Sequence, residues 1–208
     1  VALAGKGALV KVTGASVAFS SETMITSDNL TYTLSSSLQN EPWDPTANIT
    51  ITTSSGGTVS GYTTNRLKGE ITFSSSASRT LKASGEYRTL STLAKAKEVN
   101  INLVTNLFDV PYFGVDAIPR IRTLESVNGT LGKWYDTDRY FYDVVSSTSE
   151  PNPLLLEFYA ASTSSYTLRT WIMANADEIA SVIDGSVEDT LSFESTPDTD
   201  DRLYTFNT

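Results

Sequence analysis

The residues of this chain that could do chemistry are almost all carboxylates. Asp136 with Asp138, and Asp177 with Glu178, are pairs of the kind that divide acid and base roles in hydrolysis when their surroundings push the two pKa values apart. A helix cap and a solvated turn use the same residues, and that plainer role is the expectation at both places. Asp198, Asp200 and Asp201 offer hard oxygen ligands suited to calcium. They lack the glycine and distal glutamate of a calcium loop, so an acidic tail is expected there and no metal. The 208 residues include no His and no Cys, which excludes imidazole chemistry, thiolate nucleophiles, thiolate metal sites and disulfides. Gly5-Lys6-Gly7 is too short for a phosphate loop and fits an N-terminal arm. Trp43, Trp134 and Trp171 could stack on a sugar, but they are far apart in sequence and core packing is the expectation. No catalytic residue and no cofactor is expected.

The elements that must position these groups read as strands. Serine and threonine make up roughly a quarter of the chain, and the β-branched threonine suits a pleated surface while serine competes with helix hydrogen bonds. A strand is expected at Lys11–Phe19, another at Asn48–Thr52 with Ile49 and Ile51 on one face, and a half-buried one where Leu67, Ile71 and Phe73 alternate with Lys68, Glu70 and Thr72. Further strands are expected around Val99, Ile101 and Leu103, then at Arg122–Tyr135, Pro153–Tyr159, Tyr166–Met173 and Val187–Glu194. Gly56-Gly57 is a hairpin turn leading into Thr58–Ser60. One short helix is expected over Thr137–Val145 behind Asp136 as N-cap, while Leu90–Lys97 and Asp177–Ile183 fit helix or strand. Many short strands predict an all-β sandwich or barrel. The whole of 1–208 is expected to be one domain, with an arm over 1–15, a core over 16–195 and a second arm over 196–208.

Charge is unevenly placed. Residues 1–100 carry a balance of +2 and residues 101–208 a balance of −11, within a net charge of −9. Groove binding to nucleic acid is not expected, because that affinity comes from Lys and Arg displacing counterions from phosphates. No run approaches the ~20 apolar residues of a membrane span. The first residues lack the basic start and apolar core of a secretory signal, so Asn29, Asn48 and Asn128, each two residues before a threonine, are expected to be unmodified.

Three stretches do not read as regular structure: Ser35–Ala47, Phe108–Pro119 and Ser195–Thr208. Long ordered loops in a compact domain are usually functional or interfacial. They supply the candidate contacts between subunits: Pro42, Trp43 and Pro45; Phe108, Pro111, Tyr112 and Phe113; and Leu203, Tyr204 and Phe206 in the tail.

Several motifs then fall in one order. They are SGEYRTLSTLAKAKEVNINLVTNLFDVPYFG from Ser84 to Gly114, SVNGTLGKWYDTDRYFYDVV from Ser126 to Val145, and PLLLEFY from Pro153 to Tyr159. Within them Gly85 and Tyr87, Lys95 to Glu98, Asp109 with Phe113 and Gly114, and Gly129, Leu131, Trp134, Tyr135 and Asp136 follow a recognisable sequence of strand ends and loops. Together with the closing stretch Trp171 to Ser195, this order resembles the major tail tube proteins of long-tailed bacteriophages, best from about residue 60 to 196. Val110 and Pro111 stand where a threonine is more usual, the aromatic run Tyr140, Phe141 and Tyr142 is heavier than expected, and the first sixty residues match less specifically.

The resemblance implies a β-sandwich with a flanking helix, rings of six copies, and rings stacked into a hollow tube that conducts genomic DNA without binding it. It implies a virion location after assembly in the host cytoplasm, no membrane anchoring, and tape-measure, tail-terminator and distal-tail proteins as partners. The lumen of such a tube is acidic, and the candidates here are Glu125, Asp136, Glu157, Glu188 and Glu194. Like-charge repulsion would keep DNA from adhering. The alternative from the residues alone is a cell-surface or glycan-binding β-sandwich module.

Overall fold

The computed structural model describes residues 9–35, 38–39, 41–76, 78–93, 96–109, 120–134, 153–159, 167–180 and 188–206. The chain forms two compact units, one made of Val1–Leu93, Asn152–Trp171 and Pro197–Thr208, the other of Ala94–Pro151 and Ile172–Thr196. The protein is all-β among the described residues, as its composition predicts. The helix expected over Thr137–Val145 lies outside them.

Six strands open the first unit: β1 (Leu9–Ile25), β2 (Thr31–Leu34), β3 (Thr50–Thr53), β4 (Tyr62–Asn65), β5 (Glu70–Phe73) and β6 (Leu81–Thr92). The second unit contributes β7 (Ala96–Asp109) and β8 (Arg120–Trp134), and the chain returns to the first for β9 (Leu154–Tyr159). β10 (Leu168–Ala180) begins in the first unit and ends in the second, β11 (Glu188–Ser195) belongs to the second, and β12 (Tyr204–Phe206) to the first.

In the first unit β1 serves two sheets. It pairs with β9 through Leu9–Val12 and with β6 through Lys11–Thr23, then turns to pair with β2 through Met24 and Ile25. Two bulges, between Thr13 and Ser16 and between Phe19 and Glu22, supply the bend. At the second, Ser21 has φ 54° and its N–H donates to Ser84 Oγ at 2.8 Å. The turn into β2 is fixed by Asp28, whose Oδ1 accepts from the N–H groups of Leu30 and Thr31, each at 2.8 Å. These bonds hold the Asp28 carboxyl below the usual carboxylate range.

Alternation then sorts the side chains between the two faces of each strand. Tyr32 and Leu34 on β2 and Ile71 and Phe73 on β5 are buried, and they meet Ile51 of β3 and Leu81 and Ala83 of β6 in one apolar cluster with Phe19, Met24 and Trp43. Apolar faces of two sheets thus close on each other. Tyr32 and Tyr62 both stand edge-on to Phe73, at 5.7 and 5.9 Å between ring centres.

Several expectations need correction. Leu67 does not begin a strand: it is buried in the turn Arg66–Gly69, between β4 and β5. Gly69 ends that turn with φ 65°, and a Cβ there would meet the Glu41 carbonyl. The Gly56-Gly57 turn forms, with Thr53 N–H donating to Gly57 O at 2.8 Å, but its return leg meets β3 by an isolated Thr52–Thr58 bridge instead of a strand. Leu90 lies in β6, Ala96 and Lys97 in β7, and Asp177–Ala180 in β10, so the described parts of both ambiguous stretches are extended. Residues 9–15, placed in an N-terminal arm by sequence, belong to β1.

In the second unit the strand order is β10-β11-β8-β7, all antiparallel. Val127, Leu131, Leu191 and Phe193 are buried there. Phe193 sits opposite Gly129, and a Cβ on that glycine would stand 2.9 Å from the Phe193 ring, so the ring packs where a side chain is missing.

Candidate functional site

Two places among the described residues are candidates for a function, one in each unit. The first is the β7–β8 hairpin. It is paired from Ala96 with Lys133 to Asp109 with Arg120, with a bulge between Thr105 and Leu107. β11 covers β8 only over Asn128–Trp134. Beyond that point the hairpin has no third strand among the described residues, and β7 is an edge strand of 14 residues. Leu103 is 49% exposed, Val104 37% and Leu107 60%. Strand residues alternate between faces, so adjacent Leu103 and Val104 bring apolar side chains to both faces. A long edge strand with exposed apolar side chains invites another strand.

Nearer β11 the same hairpin presents a polar face. Glu98, Asn100 and Asn102 of β7 stand opposite Gly132, Thr130 and Asn128 of β8, which stand opposite Thr190, Ser192 and Glu194 of β11. The Asn100 amide donates to Glu98 Oε1 at 2.9 Å and to Thr130 Oγ1 at 3.3 Å. Asn102 Nδ2 lies 3.5 Å from Asn128 Oδ1. This patch holds amides, hydroxyls and two glutamates, with no lysine or arginine among its members. Divided by unit, the sequence gives the second a balance of −8 and the first a balance of −1, so the acidity noted from residue 101 onward belongs to the second unit.

The second place is a cavity of about 450 Å³ in the first unit, lined by Lys11, Glu41, Tyr87, Thr89, Glu157, Tyr159 and Arg169 among others. Its floor is built by adjacent strands: Lys11 of β1 pairs in register with Glu157 of β9, and Arg169 follows on β10. Glu157 is 0% exposed. Arg169 Nε donates to its Oε2 at 2.5 Å, Tyr159 donates to its Oε1, and Lys11 Nζ stands 3.5 Å from Oε1. Arg169 also donates to the Leu67 carbonyl at 2.8 Å. Burial opposes the charge on Lys11, yet its hydrogen bond to Tyr159 and the Glu157 carboxylate together raise its pKa. Burial raises the Glu41 carboxyl, with the charge of Glu157 acting in the same direction and Arg169 and Lys11 against it. The four charged residues balance, so the cavity offers no net attraction to an ion.

The structure distributes the candidate residues unevenly. Pro42, Trp43 and Pro45 are buried, Trp43 completely, so this loop is core and not a free contact surface. The reason lies in Asp44, whose Oδ1 accepts from Thr46 N–H, Thr46 Oγ1 and Ala47 N–H at 2.9, 2.9 and 3.1 Å while Oδ2 stands 2.6 Å from Arg88 Nε. Burial opposes that charge, but these bonds and Arg88 hold the carboxyl below its usual range. Glu157 is likewise no surface residue, because it is fully buried against Arg169 and Lys11. Trp171 is fully buried too, which removes two of three rings from a sugar platform.

Phe108 lies in β7 opposite Ile121, Glu125 opposite Thr105, and Glu188 opposite Trp134. Glu194 is exposed on the polar patch. Pro111, Tyr112, Phe113 and Asp136, together with Asp138, lie outside the described residues. Leu203 and Tyr204 are half-buried and Phe206 is 42% exposed. The tail is not a solvated arm: Asp198 is buried, its Oδ1 accepts from Asp200 and Arg202 N–H, and Asp200 pairs with Arg66 at 2.7 Å. Among the described residues no group of carboxylates is arranged to hold a metal. Sequence reading missed Lys11, Arg66, Glu41 and Arg169, since their partners lie up to 148 positions away.

No family model matches the chain, and no curated protein matches it. Among solved structures, a chain in the tail of an empty GTA particle with C6 symmetry shares 12% identity and a TM-score of 0.41 over 57% of this chain and 87% of that one. A chain in the virion of a native gene transfer agent particle shares 11% identity and a TM-score of 0.43 over 57% and 89%. Overlaps this partial assign the chain to no family.

Proposed function

We propose that the protein is a structural subunit of a phage-type tail, self-assembling in rings stacked into a tube through which DNA passes. The observation that carries this reading is the β7–β8 hairpin, a 14-residue edge strand with Leu103 and Leu107 exposed on an acidic unit. Such an edge is a liability in a monomer and a joint in an assembly. Repeated head-to-tail pairing of one such edge closes into a ring when the rotation allows, and contacts along the axis extend it into a filament. The motif order from Ser84 to Ser195, which resembles tail tube proteins, points the same way.

The polar patch of Glu98, Asn100, Asn102, Asn128, Thr130, Ser192 and Glu194 is the surface suited to face DNA. Within it Glu98, Asn100 and Thr130, and Asn102 with Asn128, already engage one another, and the patch has no cation to grip a phosphate. The role needs no catalysis and no cofactor. The test is the oligomeric state of the Leu103→Asp/Leu107→Asp variant by sedimentation. The unaltered chain should form large particles and the variant should not, with thermal unfolding little changed. Undiminished particles in the variant would remove the hairpin from the joint.

A further inference from the structure

The last described residues form a strap. β11 ends at Ser195, and Pro197, which has no N–H to continue a ladder, turns the chain away. Asp198 then organises a tight turn by accepting from Asp200 N–H at 2.9 Å and Arg202 N–H at 3.0 Å, and Asp201 takes φ 59° within it. From this turn the strap reaches the body at separate points. Thr199 N–H donates to Pro45 O at 3.3 Å, Asp200 Oδ2 accepts from Arg66 Nε at 2.7 Å, and Arg202 Nε donates to Thr64 O at 3.2 Å. Leu203 O accepts from Trp171 N–H at 3.2 Å and Thr170 Oγ1 at 2.8 Å, after which β12 pairs with β10, Thr170 with Tyr204 and Leu168 with Phe206.

These holds are hydrogen bonds and one ion pair of a partly exposed aspartate. Leu203 and Tyr204 of the strap are half-buried, and Phe206 remains 42% exposed. The slot behind the strap is different: Leu168, Thr170 and Trp171 are buried there and present backbone groups that need a strand. A slot that demands a strand, filled by a short strand tethered at a proline, is the arrangement in which an identical segment from another copy substitutes at low cost.

We propose that the strap is exchanged in self-assembly, Pro197–Phe206 of one copy filling the β10 slot of a second copy and placing its Asp200 on the second copy's Arg66. The partner is another copy of this chain, and the contacts are those the strap makes in its own. This exchange requires self-association but no particular architecture, so it stands or falls separately from the tube.

The absence of cysteine makes the test direct. One chain carries Leu168→Cys alone and a second, distinguished by an affinity tag, carries Phe206→Cys alone. Neither can close a disulfide on its own partner position. After unfolding, mixing, joint refolding and oxidation, exchange yields a covalent product containing both chains, absent when either is oxidised alone and increasing with protein concentration. The chain bearing both substitutions reports whether the paired positions oxidise at all. If they do not, Thr170→Cys with Tyr204→Cys, two residues along the same register, is used in the same way. Closure of the double variant within single chains, with no mixed product at any concentration, overturns the proposal. Size measurement of the unaltered chain separates this outcome from a failure to assemble.

Discussion

The first unit draws charges inward and pairs them, whereas the second leaves leucines standing out of a hairpin. Glu157 with Arg169, Asp44 with Arg88 and Arg66 with Asp200 all fall in the first, around a core that includes Trp43, Tyr32 and Phe73. The second carries a balance of −8 and exposes Leu103 and Leu107 on a strand whose outer edge is unpaired among the described residues. Buried ion pairs are weak contributors to stability but strict about geometry. The first unit therefore keeps its described ion pairs beside its core. The second holds Leu103 and Leu107 on its surface, which the proposed function covers with a second copy.

Substitutions can break this contrast, and the largest effect belongs to the core. Trp43→Ala should cost about 3–5 kcal/mol in thermal or denaturant unfolding, because a fully buried ring leaves a cavity between two sheets. A loss near zero would mean that the Ser35–Ala47 loop is not core after all. Next is Glu157→Gln, which keeps the shape and leaves Arg169 and Lys11 facing a neutral amide, at a cost of about 1–3 kcal/mol. An unchanged midpoint would show that the cavity floor does not need its charge.

A smaller effect, with a defined sign, comes from Glu41. Its carboxyl is raised in the fold, so the folded chain holds that proton more tightly than the unfolded one, and the contribution is present below the unfolded pKa and lost as pH rises through the folded value. Glu41→Gln should raise the melting temperature at neutral pH, with the difference shrinking as pH falls through the carboxylate range. A difference that grows in acid would contradict the assignment. Smallest of all, Leu107→Ala should change the stability of the unassembled chain by no more than about 0.5 kcal/mol, because its side chain is already in water. A larger loss would mean that the hairpin tip packs on its own chain and is not held for a partner.

The sequence was most readable where one face is buried and the other wet. Ile71 and Phe73, and Leu191 and Phe193, show their period of two both in the letters and in the fold. Val99, Ile101 and Leu103 also lie in a strand, as their alternation predicts, with Val99 and Ile101 half-buried and Leu103 exposed, since periodicity reports a shared face and not what covers it. The Pro42–Pro45 loop was misjudged because proline and tryptophan in a loop look interfacial, while Asp44 and Arg88, 44 positions apart, pull it inside. Glu157 looked like one acidic residue among many. Only strand order, which brings β1, β9 and β10 side by side, reveals it as the centre of a buried network.

Negative-stain electron microscopy of the concentrated, unaltered protein tests the central claim most directly. Hollow tubes or closed rings of uniform diameter are the predicted result, with a lumen wide enough for duplex DNA. A monodisperse single-chain species at every concentration, including in the presence of a tape-measure partner, would contradict it.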